Sequence, residues 1–173
     1  MMTIGQRSAQ VQRKTKETDV DLALKIDGSG DGDIRTGVPF LDHMLDLFVT
    51  HGLFDMTLVV KGDIEVDAHH TVEDIGICLG QVVHEALGDC TGIVRYSSGQ
   101  IPMDESLCSM AIDVCNRSYL SFHSNIPKTK VGEFDAELVE EFFRAFTSNA
   151  RMTIHIDILK GDNVHHMIEA VFK

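Results

Sequence analysis

With 173 residues, of which 43% are hydrophobic and 24% charged, the chain has the length and composition of one globular domain. That size buries a sizeable core without a disulfide or structural metal as a staple. Fifteen basic against 27 acidic residues give a formal charge of −12, which argues against nucleic acid or an anionic membrane as the main partner.

Taken in chain order, Ala9–Glu17 and Asp19–Ile26 alternate, with Val20, Leu22, Leu24 and Ile26 on one side, and this period of two predicts strands. Residues 27–32, Asp-Gly-Ser-Gly-Asp-Gly, are turn chemistry. Pro39 opens a helix with apolar residues at 40, 41, 44, 45 and 48 and Gly52 as its stop. A strand follows at Asp55–Lys61, then a helix from His69 to about Leu87, where Gly88 ends it. In the second half, Leu107–Val114 and Ser118–Ser124 read as paired strands around Asn116-Arg117. Asp135 is expected to cap an amphipathic helix running through Phe146, and Met152–Leu159 alternates as a strand. A turn at Gly161-Asp162-Asn163 precedes the last helix. Each half thus reads strand, strand, helix, strand, helix, and a duplicated α+β unit is expected, with repeats at about 7–90 and 105–173 in one domain.

Both final helices open on the same pattern, His-His-x-x-Glu, at His69-His70-Thr71-Val72-Glu73 and His165-His166-Met167-Ile168-Glu169, 96 positions apart (165 − 69). On a helix the first His and the Glu share a face, whereas the two neighbouring imidazoles point about 100° apart. Contacts in two directions, or two metals, follow. The helix before each motif also carries a possible ligand: His43 lies 26 positions ahead of His69, and Glu141 lies 24 ahead of His165. Imidazole and carboxylate donors without thiolate suit Mn²⁺, Fe²⁺, Ni²⁺ or Zn²⁺. His84, His123 and His155 have no matching partner and read as structural, as do Phe142, Phe143 and Phe146 at core spacing.

Cys78, Cys90, Cys108 and Cys115 form no Cys-x-x-Cys pair and read as reduced, buried thiols of a cytoplasmic protein. The polar first sixteen residues lack the apolar centre of a secretion signal, and no run of 18 or more apolar residues occurs.

The stretches beginning Gly37-Val38-Pro39-Phe40-Leu41-Asp42-His43, Asp67-Ala68-His69-His70, Val131-Gly132-Glu133-Phe134-Asp135 and His165-His166-Met167-Ile168-Glu169 resemble the motifs of the imidazoleglycerol-phosphate dehydratase family. The resemblance runs from about Arg7 to the last residue. It implies two halves of the ribosomal protein S5 domain 2-like type related by a pseudo-two-fold axis, with helices on one face of each sheet. It also implies removal of water from imidazole glycerol phosphate to give imidazole acetol phosphate, in histidine biosynthesis. Two Mn²⁺ ions per subunit would hold an imidazolate, with Fe, Ni or Zn as substitutes, at subunit interfaces of a 24-subunit homo-oligomer.

Carried over, the resemblance assigns His43, His69, His70, Glu73, Glu141, His165, His166 and Glu169 to the metals. Glu17, His43, His69, His70 and Glu73 would be catalytic, with Glu17 moving the carbon-linked proton. Substrate would be bound by these five together with His51, Arg95, Arg117, His165 and Lys173, where Arg95, Arg117 and Lys173 match phosphate-binding positions. Two departures stand out: Glu141 replaces a His found in many members, and Leu47 replaces a phosphate-contacting Gln of some relatives. The family continues beyond the Phe172-Lys173 pair, so a truncated carboxyl terminus and an incomplete phosphate site are expected. The residues alone leave open a metal-dependent phosphate-ester hydrolase, which would use the same ions, and a metal store, which would have no use for the cations.

Overall fold

Alternation makes β2 (Thr18–Lys25) a strand whose Val20, Leu22 and Leu24 are wholly buried while the residues between them face outward. It pairs antiparallel with β1 (Ser8–Lys14) in this computed structural model, which describes residues 7–173. Residues 1–6, the start of the polar amino-terminal stretch, lie outside the described residues. β1 stops short of the expected Glu17 because Thr15 donates its backbone N–H to Thr18 O at 2.8 Å and turns the chain. β3 (Gly32–Arg35), α1 (Pro39–Gly52), β4 (Asp55–Gly62) and α2 (His69–Leu87) complete the first half. The second half holds β5 (Tyr96–Met103), β6 (Ser106–Asp113), β7 (Tyr119–His123), a small hairpin of β8 (Lys130–Val131) and β9 (Phe134–Asp135), α3 (Leu138–Ala150), β10 (Thr153–Lys160) and α4 (Val164–Phe172).

The two main sheets have the orders β1-β2-β4-β3 and β5-β6-β10-β7. In both, the first two strands form an antiparallel hairpin, the strand after the helix pairs antiparallel with the second, and the third lies parallel to it at the edge. The halves therefore share a topology: a hairpin, a βαβ unit and a final helix, the duplicated α+β architecture expected.

The structure changes four details of that reading. Each main sheet has a third strand before its helix: β3 and β5 lie outside the expected strands, as does the β8–β9 hairpin, and the second sheet begins at Tyr96. β6 and β7 do not pair, because β10 sits between them; alternation marks a strand but not its neighbour. Asp135 belongs to β9 rather than capping α3, whose flanking residue is Glu137. Gly52 is the last residue of α1, as expected, but the left-handed cap that follows is Leu53, held at φ +55°, rather than the glycine.

α2 covers β1, β2 and β4, and α3 lies alongside it, so these two helices meet in the middle of the molecule. Gly76 and Gly80, one turn apart on α2, permit the approach: a Cβ at Gly76 would lie 2.7 Å from Phe142 O, and one at Gly80 2.5 Å from Phe146 O. α4 packs on β5, β6 and β10 and touches α1, burying Met167, Ile168, Val171 and Phe172. Among the described residues no helix is long and apolar enough to cross a membrane.

Candidate functional site

α1 and α4 bring three ligand-type side chains together. His165 and Glu169 are one turn apart on the same face of α4, with His165 Nε2 3.3 Å from Glu169 Oε2, and His43 Nε2 of α1 lies 3.9 Å from the same oxygen. One donor atom from each lies within 4.8 Å of the others, and no other such group of three occurs among the described residues. Phe40 backs His165 edge-on at 5.1 Å and in turn packs on Phe134, fixing the imidazole from behind. Only 8% of the Glu169 side chain is exposed. Burial pushes its carboxyl up, but the Lys173 ammonium at 2.8 Å from Oε1 and the two imidazoles bring it below the ordinary carboxylate value. Two imidazole nitrogens and an ionised, buried carboxylate are a donor set that fits a divalent first-row ion.

Both His-His-x-x-Glu motifs are built alike. Asp67 Oδ1 accepts the backbone N–H of His69 at 2.8 Å, and Asn163 Oδ1 accepts that of His165 at 2.9 Å, so each helix start is tied down two residues upstream. In both pairs the ring centroids are 6.2 Å apart and the planes nearly perpendicular, at 89° and 81°. Neighbouring imidazoles thus diverge, as helical spacing requires. The second imidazole of each pair leans on a carboxylate to which the sequence reading assigned no role: His70 Nδ1 lies 3.0 Å from Asp63 Oδ2, and His166 Nδ1 lies 2.8 Å from Glu105 Oε2. These hydrogen bonds hold both imidazoles above the ordinary histidine value.

Glu17 is exposed in the β1–β2 turn, its backbone N–H donating to Thr15 Oγ1 at 3.1 Å. Thr18 pairs with Gly62 across the sheet, so Glu17 sits at the same sheet end as Asp63, and its charge acts on His70. A cavity of about 760 Å³ joins His43 and Phe40 to Asp67 and Ala68 and is roofed by the β8–β9 hairpin. Both motif helices therefore open toward one end of the molecule.

Arg95 and Arg117 lie elsewhere. Asp113 takes Arg95 in a two-pronged pair, Nε–Oδ1 2.7 Å and Nη2–Oδ2 3.0 Å, and Arg117 approaches the same carboxylate at 3.9 Å. They line a cavity of about 360 Å³ with His84, Gly88, Cys115 and Arg151, at the carboxyl end of α2. The 19 residues of α2 rise 1.5 Å each, placing this cavity roughly 27 Å from His69.

Lys173, expected with these arginines, instead has its amine on Glu169. His51 occupies the last turn of α1, two turns beyond His43. His69 and Glu73 are exposed, and Glu141 is half-buried with its carboxylate 3.7 Å from Arg144 Nε. One chain thus unites His43, His165 and Glu169 but not the remaining expected ligands.

Cys78 and Cys108 are buried, and burial raises both thiols to about 11. Cys90 and Cys115 are only half-buried, contrary to expectation, because both belong to the loops that line the arginine cavity.

The family model for imidazoleglycerol-phosphate dehydratase matches residues 36–173. The imidazoleglycerol-phosphate dehydratase of Geobacter metallireducens is 57% identical over 167 residues, spanning 96% of this chain and 86% of the relative. That of Bacillus subtilis is 55% identical over the same length. The crystal structure of the Staphylococcus aureus enzyme superposes with a TM-score of 0.87 at 45% identity, covering 96% of this chain and 92% of that one. The Pyrococcus furiosus structure gives 0.82 at 36% identity, covering 94% and 87%.

Proposed function

The chain belongs to the imidazoleglycerol-phosphate dehydratase family, a family of hydro-lyases, and from that membership we propose that it dehydrates imidazole glycerol phosphate to imidazole acetol phosphate in histidine biosynthesis, at a metal site shared between copies of the chain. The observation that carries the metal reading is the convergence of His43, His165 and Glu169 donors within 4.8 Å. His69, His70, Glu73, Glu141 and His166 would supply the remaining positions, and Mn²⁺ is the expected ion, with Fe²⁺, Ni²⁺ or Zn²⁺ able to substitute.

A divalent ion held by these residues would supply electron withdrawal from the substrate's imidazole, which would make the adjoining C–H more acidic. The chain's own groups do the rest. Glu17, an exposed carboxylate whose charge acts on His70, would accept the carbon-linked proton and return one to the departing hydroxyl. Arg95 and Arg117, with planar forks of donors held by Asp113, suit a phosphate. A substrate made of one ring and a three-carbon phosphate cannot span roughly 27 Å along α2, so the arginines of one copy would serve the histidines of another. This separation supports a homo-oligomer with sites at its interfaces, for which the family's 24-subunit assembly is the expectation.

The test is turnover of imidazole glycerol phosphate before chelation, after chelation and after Mn²⁺ is restored. Loss and recovery of imidazole acetol phosphate formation is expected. Turnover indifferent to chelation would remove the metal, and release of inorganic phosphate would identify a hydrolase instead.

A further inference from the structure

The two halves of the chain place acidic residues at matching positions but use them differently. Glu17 directly precedes β2 and Glu105 directly precedes β6, the second strand of each hairpin, so the two are equivalent. Gly62 and Gly161 are equivalent as well: a Cβ on Gly62 would strike Thr71, the residue after His70, and one on Gly161 would strike Met167, the residue after His166. Asp63 and Asp162 therefore match. In the second half Glu105 bonds the imidazole of His166, whereas Asp162 gives only its backbone N–H to Glu105. In the first half the partner of His70 is Asp63, and Glu17 has no side-chain hydrogen bond among the described residues. The same contact is reached by two different chain routes, so inheritance from the duplicated ancestor does not account for both.

A carboxylate offers only acceptors, so the Nδ1 it faces carries the proton and the lone pair is left on Nε2. We propose that Asp63 and Glu105 are positioning residues for metal ligation, each taking the Nδ1–H of the second histidine of its motif and presenting Nε2 to the ion. Use of Asp63 for this purpose leaves Glu17 free for the proton transfer that its counterpart Glu105 cannot perform. The inference rests on the metal reading above. Imidazoles held in this way are oriented and made more basic, and loss of such a support costs 10–100-fold in metal affinity.

Asp63 gives the cleaner test, because among the described residues its side chain has no hydrogen-bond partner but His70, whereas Glu105 also accepts the backbone N–H groups of Asp162 and Asn163. Metal-stripped protein is titrated with Mn²⁺ against a fluorescent chelator, and metal-free thermal unfolding is recorded alongside. Asp63→Ala is expected to weaken Mn²⁺ binding about 10–100-fold with its metal-free unfolding unchanged. Asp63→Asn, whose amide oxygen still accepts from Nδ1, should lose less. Glu105→Ala should weaken binding and Glu17→Ala should not, despite their equivalent positions. Unchanged Mn²⁺ affinity in Asp63→Ala, where His70→Ala weakens it, overturns the proposal. So does a loss that only parallels metal-free unfolding. Failure of the wild-type chain to take up Mn²⁺ would instead overturn the metal reading on which the proposal stands.

Discussion

If arginines and histidines of different copies make one site, two inactive variants should repair each other. The rulers are α2 and β5. Along α2 the arginine cavity lies roughly 27 Å from the first motif. β5 gives a second measure: Arg95 precedes its first residue, and Glu105, which holds His166, lies two residues past its last, so the eight strand residues at about 3.4 Å each set them about 27 Å apart. Neither motif can share a small substrate with the arginines of its own chain. The perturbations are Arg117→Ala and His70→Ala, each of which should abolish turnover alone. Co-expressed in equal amounts and assembled at random, they leave about a quarter of the sites with an intact arginine set from one copy and an intact histidine set from the other. Activity near a quarter of wild type, measured on assemblies carrying both affinity tags, is the expected result. Recovery no greater than the sum of the separate variants would place arginines and histidines of one chain in one site, and would refute the geometry.

Four further outcomes follow from single side chains. Glu17→Gln should lower turnover by orders of magnitude while folding and metal content stay intact; near-normal turnover would remove Glu17 from the proton transfer. Gly80→Ala should destabilise the fold by about 1–3 kcal/mol in denaturant unfolding, because the new Cβ meets α3 backbone at Phe146 O (2.5 Å) and Ala150 N (2.8 Å) rather than a side chain able to yield. Arg151 ends α3 at φ +54°, so Arg151→Gly should raise stability by about 1 kcal/mol in the same assay, and a fall would show that its side chain contributes more than the strain costs. Asp55 is held far below the ordinary carboxylate value by the Ser29 backbone N–H at 2.6 Å and by the Lys25 amine. Its contribution is therefore full above the unfolded value of about 3.9 and is lost as pH falls through the lower native one. The thermal deficit of Asp55→Asn should accordingly be present at pH 7 and shrink below about pH 3.9; a deficit independent of pH would assign it to geometry rather than charge.

What the sequence could and could not disclose divides along the range of each signal. Periodicity and turn chemistry are local, so β2, α1, α2 and β10 were legible close to their observed bounds, and Gly88 ended α2 as expected, at φ +55°. Divergence of adjacent imidazoles was legible too, since it depends only on the helical turn. Strand neighbours are not local: β7 pairs with β10 across a helix, and nothing in Tyr119–His123 itself distinguishes that parallel partner from the nearer β6. β5, with Ser97, Ser98, Gly99 and Pro102, lacks the β-branched alternation that announces a strand, and it was found only because β6 supplies its ladder. The spacing paired His43 with the first motif, whereas the structure sets it against His165 and Glu169 of the second, because α1 packs on α4; order along the chain does not say which helices meet. The acids beside the histidines were the least visible. Asp63 lies seven residues before His70 but outside α2, so helical spacing does not bring them together, and Glu105 lies 61 residues from His166. Their partnership exists only once two turns have been folded against two helix starts, so a duplicated sequence can conserve the contact while exchanging the residue that makes it.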